Sequence, residues 1–278
     1  MDAPLDALDA LRLQIDWGAD EALDDAPIDR TRLAPSRPAA LSAPGPAFER
    51  PAFERPAFER PAFERSAAER AAPVALRPTA VGLAQSVAQA ANTLEELRAA
   101  LAGFSDCKLS TTATNLVFSD GNPTSGLVLV GEAPGAEEDL TGKPFVGASG
   151  QFLDRMLASI GLDRTQLLIT NLIPWRPPGN RPPTESEVLM CLPFLRRHLA
   201  LARPRIVVTL GALSTHALTG SNVGIRKLRG RWQTLALDGL GAVRLLPMLH
   251  PAYLLRTPGA KRDAWADLLA LKRAIEEK

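Results

Sequence analysis

The sequence predicts an α/β fold with a central four-stranded, mainly parallel sheet. Four short apolar runs alternate along the chain with segments of helical periodicity. The first run, Leu127–Val130, has no polar alternation, which is typical of a strand buried on both faces. A chain of 278 residues with 46% hydrophobic content is long enough for one sizeable core. We therefore expect helices on both faces of the sheet.

The predicted elements follow one another regularly. Strands are predicted at residues 127–130, 167–172, 205–210 and 244–249, and helices near 86–101, at 151–160, from 184 towards 201, from 211 and at 260–276. Gly161 is a typical helix end, and Thr184 with Glu187 forms a capping box. Ligands in such folds bind at the carboxyl ends of the strands, where the most informative motifs of this chain lie.

The chain divides into three predicted parts. Residues 1–45 form an acidic region with one short amphipathic helix, residues 46–75 a linker, and residues 76–278 the folded domain. The linker contains Pro-Ala-Phe-Glu-Arg four times in succession, at residues 46–65. Proline at every fifth position prevents a continuous helix, so this segment is predicted to be disordered. Its spaced phenylalanines leave open contact with an unidentified protein partner.

Composition excludes two classes of protein. No stretch approaches the roughly 18–20 apolar residues of a membrane span. The acidic start, with Asp2, Asp6 and Asp9, is unlike a signal peptide. The two cysteines, Cys107 and Cys191, do not make a disulfide framework. We expect a soluble intracellular protein whose positive charge, net +1 overall, is concentrated from Phe104 onward.

A glycine-rich turn follows the first predicted strand. Gly131-Glu-Ala-Pro-Gly135 permits a tight turn with inward-facing amides. It is neither a dinucleotide fingerprint nor a Walker loop. Residues 147–150 lack the final glycine of a nucleophile elbow, which argues against a serine hydrolase.

Five motifs in order carry a family resemblance. They are Gly131-Glu-Ala-Pro-Gly135, Gly142-Lys-Pro-Phe-Val-Gly147, Ile169-Thr-Asn171, Arg176-Pro-Pro-Gly-Asn-Arg181 and His250-Pro-Ala-Tyr-Leu-Leu-Arg256. In these motifs, over residues 104–275, the chain resembles the family 4 uracil-DNA glycosylases of bacteria and archaea. The resemblance implies the three-layer α/β/α sandwich of the uracil-DNA glycosylase superfamily.

The resemblance also implies a uracil pocket. Such an enzyme flips the base out of the helix, reads its Watson–Crick edge and stacks it on an aromatic ring. Asn171 is matched to base reading, Phe145 to stacking, and Gly131 to the pocket turn. His250 is matched to the histidine that hydrogen-bonds uracil O2. The alternative is that these residues are a strand cap, core filler and a structural histidine.

Two carboxylates are candidates for orienting the attacking water. Ala133 and Gly135 stand where the classical enzymes of the superfamily carry a water-activating aspartate and a tyrosine barrier against thymine. The resemblance therefore transfers the role to Glu132 or Glu138, and the sequence does not choose between them.

Further residues are predicted to contact DNA. The closing motif suggests an apolar wedge, and the proline-rich loop offers cations suited to phosphate. The predicted DNA-binding residues are Ser149, Arg176, Asn180, Arg181, Leu254, Leu255 and Arg256. A second basic segment, 226–231, is equally well explained as a solvated face. His198 and His216 lie within predicted helices and are expected to be structural.

The resemblance breaks at the cofactor. Family 4 enzymes normally hold an iron–sulfur cluster on four cysteines. Cys107 and Cys191 match two of those positions, whereas Phe104 and Trp175 occupy the other two. Four thiolates are the ordinary requirement, so we expect no cluster and no other cofactor or metal.

The resemblance predicts a monofunctional uracil-DNA glycosylase that hydrolyses the N-glycosidic bond and leaves an abasic site. We expect it to act as a monomer on uracil-containing DNA, without a membrane, in the cytoplasm and associated with the nucleoid. Three alternatives stay open: a weak or inactive relative that binds DNA or abasic sites, a glycosylase of broader deaminated-base specificity, and a scaffold recruited through the repeated tail.

Overall fold

The computed structural model describes residues 80–277, which build a six-stranded mixed sheet. The strands are β1 (Ser119–Gly121), β2 (Leu127–Gly131), β3 (Leu168–Asn171), β4 (Ile206–Leu210), β5 (Gln233–Leu237) and β6 (Gly241–Met248). Their order across the sheet is β1-β3-β2-β4-β6-β5. The central strands β3, β2, β4 and β6 are parallel, and β1 and β5 pair antiparallel at the edges. The four predicted strands are confirmed, and two edge strands are added.

The helices connect these strands. They are α1 (Ala80–Ala90), α2 (Leu94–Ala102), α3 (Leu109–Thr112), α4 (Ala136–Thr141), α5 (Ala148–Ala158), α6 (Glu185–Ala202), α7 (Ala212–Thr219), α8 (Ile225–Leu228), α9 (Pro251–Arg256) and α10 (Lys261–Glu276). The helix expected near 86–101 is two helices, because Thr93 begins α2 by accepting the Glu96 amide on its side chain. Thr184 and Glu187 form the expected capping box of α6.

Alternate residues of the central strands face two separate cores. Val128 and Val130 of β2 belong to a cluster that includes residues of α1, α2 and α6. Leu127 and Leu129 belong to a second cluster that includes residues of α5 and α10. Side chains alternate between the faces of a strand, so both faces of the sheet are covered by helices. The three-layer α/β/α sandwich is confirmed.

The carboxyl ends of the four parallel strands meet along one edge of the sheet. The segments that follow β2, β3, β4 and β6 lie at this edge and contain the motifs of the sequence. In residues 80–277, no helix is long and apolar enough to cross a membrane. The predictions for the acidic region 1–45 and the linker 46–75 lie outside the described residues.

Candidate active site

A cavity of about 880 Å³ opens at this edge of the sheet. Its walls come from the segments after all four parallel strands. Among its lining residues are Glu132, Glu138, Phe145, Asn171 and His250. Most of the predicted site residues, distant in sequence, are therefore brought together in one concave site.

Asn171 closes the cavity floor as the last residue of β3. It pairs in register with Gly131 of β2, and its side chain is buried, with 5% of the residue exposed. Its Oδ1 is buried without a hydrogen-bond partner among the described residues. An unsatisfied buried acceptor costs about 1–3 kcal/mol, so this oxygen favours a ligand that brings a donor. The described structure thus contains an acceptor ready for an N–H group.

Phe145 forms the aromatic wall beside this amide. Its backbone has φ 54°, a left-handed conformation that is rare for a bulky residue and is typical of functional sites. The guanidinium of Arg164 donates to the carbonyl oxygens of Pro144 and Phe145 and thereby supports this turn. The ring is buried and stacks against His250 with 5.6 Å between ring centroids. A flat base can therefore lie on a rigid apolar face.

Gly131 is the residue that lets the amide and the ring approach each other. A β-carbon at this position would overlap Oδ1 of Asn171 and lie 2.6 Å from Cζ of Phe145. We therefore expect Gly131→Ala to displace both groups and to raise the KM of the reaction at this site by about tenfold or more, because small displacements of binding groups are costly. Steady-state kinetics measure this effect. Gly259→Ala is the control, because its β-carbon meets nothing within 4 Å and its backbone is outside the left-handed region. Unchanged KM in Gly131→Ala would contradict the assignment of this wall.

Glu138 organises the turn around the cavity. Its Oε2 accepts the Gly135 amide at 3.0 Å, and its Oε1 accepts the amides of Val146 and Gly147 at 3.0 and 2.9 Å. The carboxylate therefore ties the start of α4 to the segment that carries Phe145. Its oxygens line the cavity but are already engaged by three backbone donors.

Glu132 has the freer carboxylate. It is half-buried, and its Oε1 accepts the Leu213 amide at 3.2 Å at the beginning of α7. Burial raises the pKa of this carboxyl group, while hydrogen bonds from the Leu213 and Ala212 amides and the nearby charge of Arg256 act in the opposite direction. Gly211 lies between Glu132 and His250. A β-carbon at this position would overlap the Glu132 carboxylate and lie 3.3 Å from Cβ of His250, so only glycine lets the two side chains lie this close.

His250 is held in one tautomer by the backbone. It is the N-cap of α9, and its Nδ1 accepts the Ala252 amide at 3.1 Å. Nδ1 is therefore unprotonated and the proton of the neutral ring lies on Nε2. Burial, assisted by the positive charge of Arg256, lowers the pKa of His250 to about 4. The ring is thus a neutral hydrogen-bond donor at physiological pH.

The residues predicted to contact DNA differ in whether they line the cavity and in which side chains hold them. Ser149, Asn180, Arg181 and Arg256 line the cavity. Arg181 is held by Glu187 at 2.6 Å. Arg176 does not line the cavity, and its Nε donates to Asn180 at 2.7 Å.

The wedge prediction is wrong for one of its two leucines. Leu254 is fully buried, with 0% exposed, and packs in the cluster on the α5 and α10 side of the sheet. It cannot contact DNA in this structure, because exposing it would open the core. Its neighbour Leu255 is half-buried and Arg256 is exposed. The wedge prediction therefore rests on Leu255.

Two lining residues were missed by the sequence analysis. His216, expected to be structural, lines the cavity from α7, and its Nε2 bonds the Val223 carbonyl oxygen at 2.9 Å. Arg226, from the ambiguous basic segment, also lines it. Their position after β4, whose carboxyl end borders the cavity, was the available signal. His198, by contrast, is buried and stacks on Phe118 at 4.4 Å, as expected of a structural residue.

The four positions that correspond to cluster ligands lie in one apolar region. Phe104, Cys107, Trp175 and Cys191 are all buried in the cluster that α1, α2 and α6 share. A hydrogen bond from Cys191 lowers the pKa of Cys107 to about 7, and the same contact raises that of Cys191. In residues 80–277, no group of three or more His, Cys, Asp or Glu side chains could hold a metal ion. This donor set does not fit a cluster held by four thiolates, because two of the positions carry the aromatic rings of Phe104 and Trp175, which supply no thiolate.

Comparison with known proteins agrees with the fold. The model of the uracil DNA glycosylase superfamily matches residues 118–269. The chain therefore belongs to the uracil-DNA glycosylase superfamily.

Within that superfamily, the chain is similar to the type-4 enzymes. It is 39% identical over 177 residues to the type-4 uracil-DNA glycosylase of Saccharolobus solfataricus, covering 62% of this chain and 82% of the relative. Its identity to the type-4 enzyme of Thermotoga maritima is 40% over 151 residues, covering 54% and 77%. The type-5 enzyme of Pyrobaculum aerophilum is 35% identical over 113 residues, covering 35% and 50%.

Proposed function

We propose that this protein is a uracil-DNA glycosylase whose pocket reads uracil through Asn171. The unpartnered Oδ1 of Asn171, buried beside the Phe145 ring, is the observation that supports this most strongly. Uracil presents an N3–H donor next to its O4 acceptor, which complements the oxygen and the NH₂ group of an amide. Cytosine presents the reverse pattern and would leave the buried amide unpaired, at a cost of about 1–3 kcal/mol per lost partner.

The reaction is hydrolysis of the N-glycosidic bond. The N1–C1′ bond breaks with its electron pair on uracil, and the negative charge spreads to O2. The Nε2–H of His250 donates to O2 and stabilises this charge, which a directed dipole does without transferring a proton. A water oxygen bonds to C1′ as it loses a proton to the Glu132 carboxylate, leaving an abasic site.

Glu132 orients the water, and Glu138 holds the loop. Three backbone amides engage both oxygens of Glu138, whereas among the described residues only the Leu213 and Ala212 amides at the start of α7 donate to Glu132. Among the described residues that line the cavity there is no lysine to form a Schiff base. The enzyme therefore releases the base without cutting the strand.

The experiment is incubation with a duplex that contains one uracil, followed by alkaline cleavage of abasic sites. Wild-type protein is expected to give alkali-dependent scission at uracil, and no scission at thymine or cytosine in matched duplexes. Absence of scission would overturn the enzyme assignment and favour a relative that only binds DNA. Scission at hypoxanthine or xanthine would instead establish the broader specificity.

We further propose that the protein functions without an iron–sulfur cluster. Burial of Phe104 and Trp175 contributes about 2–3 kcal/mol of apolar stabilisation each in place of metal–ligand bonds. The edge of Phe104 packs on Phe194 with 5.1 Å between centroids, as expected of a filled core.

The expected result is active protein with less than stoichiometric iron by colorimetric assay and no absorbance near 400 nm. The double variant Phe104→Cys/Trp175→Cys is the companion test, because it restores four thiols at the same positions. Stoichiometric iron in the wild type would contradict the proposal.

The working unit is proposed to be a monomer, because the residues proposed to act on uracil, Glu132, Asn171 and His250, meet in one cavity of one chain. Light scattering of the active fraction tests this, and a dimer that alone retains activity would contradict it.

A further inference from the structure

The arginines near the cavity differ in whether a carboxylate holds them. Arg181 forms two hydrogen bonds with Glu187, at 2.6 and 2.9 Å, and these bonds lower the pKa of Glu187 to about 2. Arg229 contacts Asp267 through Nε at 2.8 Å and also bonds its second oxygen. These guanidinium groups are therefore partly neutralised within the protein.

Arg226 and Lys227 are different. Both side chains are exposed, and within residues 80–277 neither has a carboxylate at ion-pair distance. Arg226 lies at the cavity wall. Arg226 and Lys227 are thus two adjacent cations at the mouth of the cavity. No described carboxylate of the chain neutralises their charge, which leaves them available to a polyanion.

The segment 221–229 that bears them is fixed to the domain at several points. His216 of α7 bonds the Val223 carbonyl oxygen at 2.9 Å, and Ile225 packs against the core on the α5 and α10 side. Arg229, pinned by Asp267, holds its end. A rigid segment loses little conformational freedom when it binds, so its cations are preorganised.

Sheet order places this segment apart from the proline-rich loop. The segment follows β4, whereas residues 176–183 follow β3, and β2 lies between these strands. Strands are spaced by about 4.8 Å, so the two strand ends are separated by about 10 Å across the cavity. Arg176 on the proline-rich loop, which has no carboxylate at ion-pair distance among the described residues, and Arg226 on this segment can then contact the sugar–phosphate chain on either side of an extruded nucleotide.

We propose that segment 221–229 is a second binding site for the DNA backbone, in which Arg226 and Lys227 contact phosphates. The inference rests on the proposed function for its ligand. Contacts from exposed Arg and Lys side chains go mainly to phosphate oxygens and do not depend on base sequence. The segment thus sets the affinity for DNA on the β4 side of the cavity.

The test is the salt dependence of binding by the full chain to a fluorescent duplex without uracil. Each lost phosphate contact lowers the slope of log affinity against log salt by about 0.9. For Arg226→Ala/Lys227→Ala we expect the magnitude of this negative slope to be smaller than that of the wild type by about 1.8, the value for two lost contacts. The binding deficit relative to wild type then narrows about tenfold as salt rises from about 50 to 200 mM.

Lys272→Ala/Arg273→Ala is the matched control. These adjacent exposed cations on α10 remove the same charge, and they lie about 16 Å along the helix from its beginning near α9. The control should keep the wild-type slope, and both variants should melt within about 2 °C of wild type because the changes are on the surface.

An unchanged slope in Arg226→Ala/Lys227→Ala, or an equal fall in the control, would overturn the proposal. Because binding is measured on DNA without uracil, this outcome is separate from failure of the proposed function, which would appear as no uracil release by wild-type protein.

Discussion

His250→Ala is expected to lower the single-turnover rate of uracil release by about 10²- to 10³-fold, the usual effect of removing one donor from a developing oxyanion. The donor is Nε2–H, because the Ala252 amide occupies Nδ1 at 3.1 Å. Rapid-quench measurement at saturating enzyme isolates this step from DNA binding. A rate within threefold of wild type would remove His250 from the mechanism.

A second variant separates chemistry from helix capping. His250 is also the N-cap of α9, and losing such a cap costs about 0.5–2 kcal/mol. Asparagine is a good N-cap, so His250→Asn is expected to restore most of the melting temperature lost in His250→Ala. Its rate should remain low, because the shorter amide lacks the Nε2–H in its original place. Recovery of the rate together with stability would indicate a structural role.

The lowered pKa of His250 has a direct consequence for pH dependence. With a pKa of about 4, the ring stays neutral above that pH, so it contributes no titration near 6.5 to the excision rate. The folded pKa is below the unfolded value, so the stability that the neutral ring contributes is present above pH 6.5. It is lost as pH falls from 6.5 towards 4. Buried His198, with a pKa also lowered to about 4, acts in the same direction.

Glu132→Gln is expected to reduce the rate by about 10²-fold or more, because the amide cannot accept the proton of the attacking water. Burial raises the pKa of Glu132, so the carboxylate is lost at a higher pH than that of an ordinary glutamate. The wild-type rate should therefore fall as pH is lowered through this raised pKa. In Glu132→Gln the remaining low rate should no longer fall as pH is lowered through this range. Single-turnover rates measured over a series of pH values test this.

Glu138→Gln is the matched comparison for this prediction. Replacing one carboxylate oxygen by NH₂ breaks at least one of three backbone hydrogen bonds, so we expect the melting temperature to fall. Glu132→Gln, by contrast, removes a charge whose burial is unfavourable, and its melting temperature should be unchanged or higher. A larger loss of rate in Glu138→Gln with unchanged stability would assign the water to Glu138 instead.

Local sequence pattern predicted the central sheet but missed its edges. Each central strand carries its own apolar run, which periodicity detects without knowledge of neighbours. β1 consists of Ser119, Asp120 and Gly121 and contains no apolar residue, and it is a strand only because it pairs with β3. β5 differs from β1, because its buried Leu235 and Leu237 alternate with exposed residues, and a search for continuous apolar runs does not detect that pattern.

The residues of the site were predictable from the motifs, but which of their side chains are buried was not. The resemblance predicted that Asn171, Phe145 and His250 share one site, and all three line the same cavity. They did not distinguish Leu254 from Leu255, because one residue rotates a helical side chain by about 100° and only packing decides which faces the core.

The amino-acid sequence by itself determined the α/β class and the order of the central elements, and its resemblance to a known family predicted the pocket residues and the two cysteine positions that Phe104 and Trp175 occupy. The tertiary structure alone decided which groups in that pocket are free to act. The amides of Gly135, Val146 and Gly147 engage Glu138 and leave Glu132 the freer carboxylate, and the Ala252 amide selects the tautomer of His250. Carboxylates hold Arg181 and Arg229, whereas Arg226 and Lys227 have none within the described part of the chain. Hydrogen bonds and ion pairs depend on distances of a few ångströms and on the direction of each donor, which the folded backbone sets and spacing along the chain does not encode.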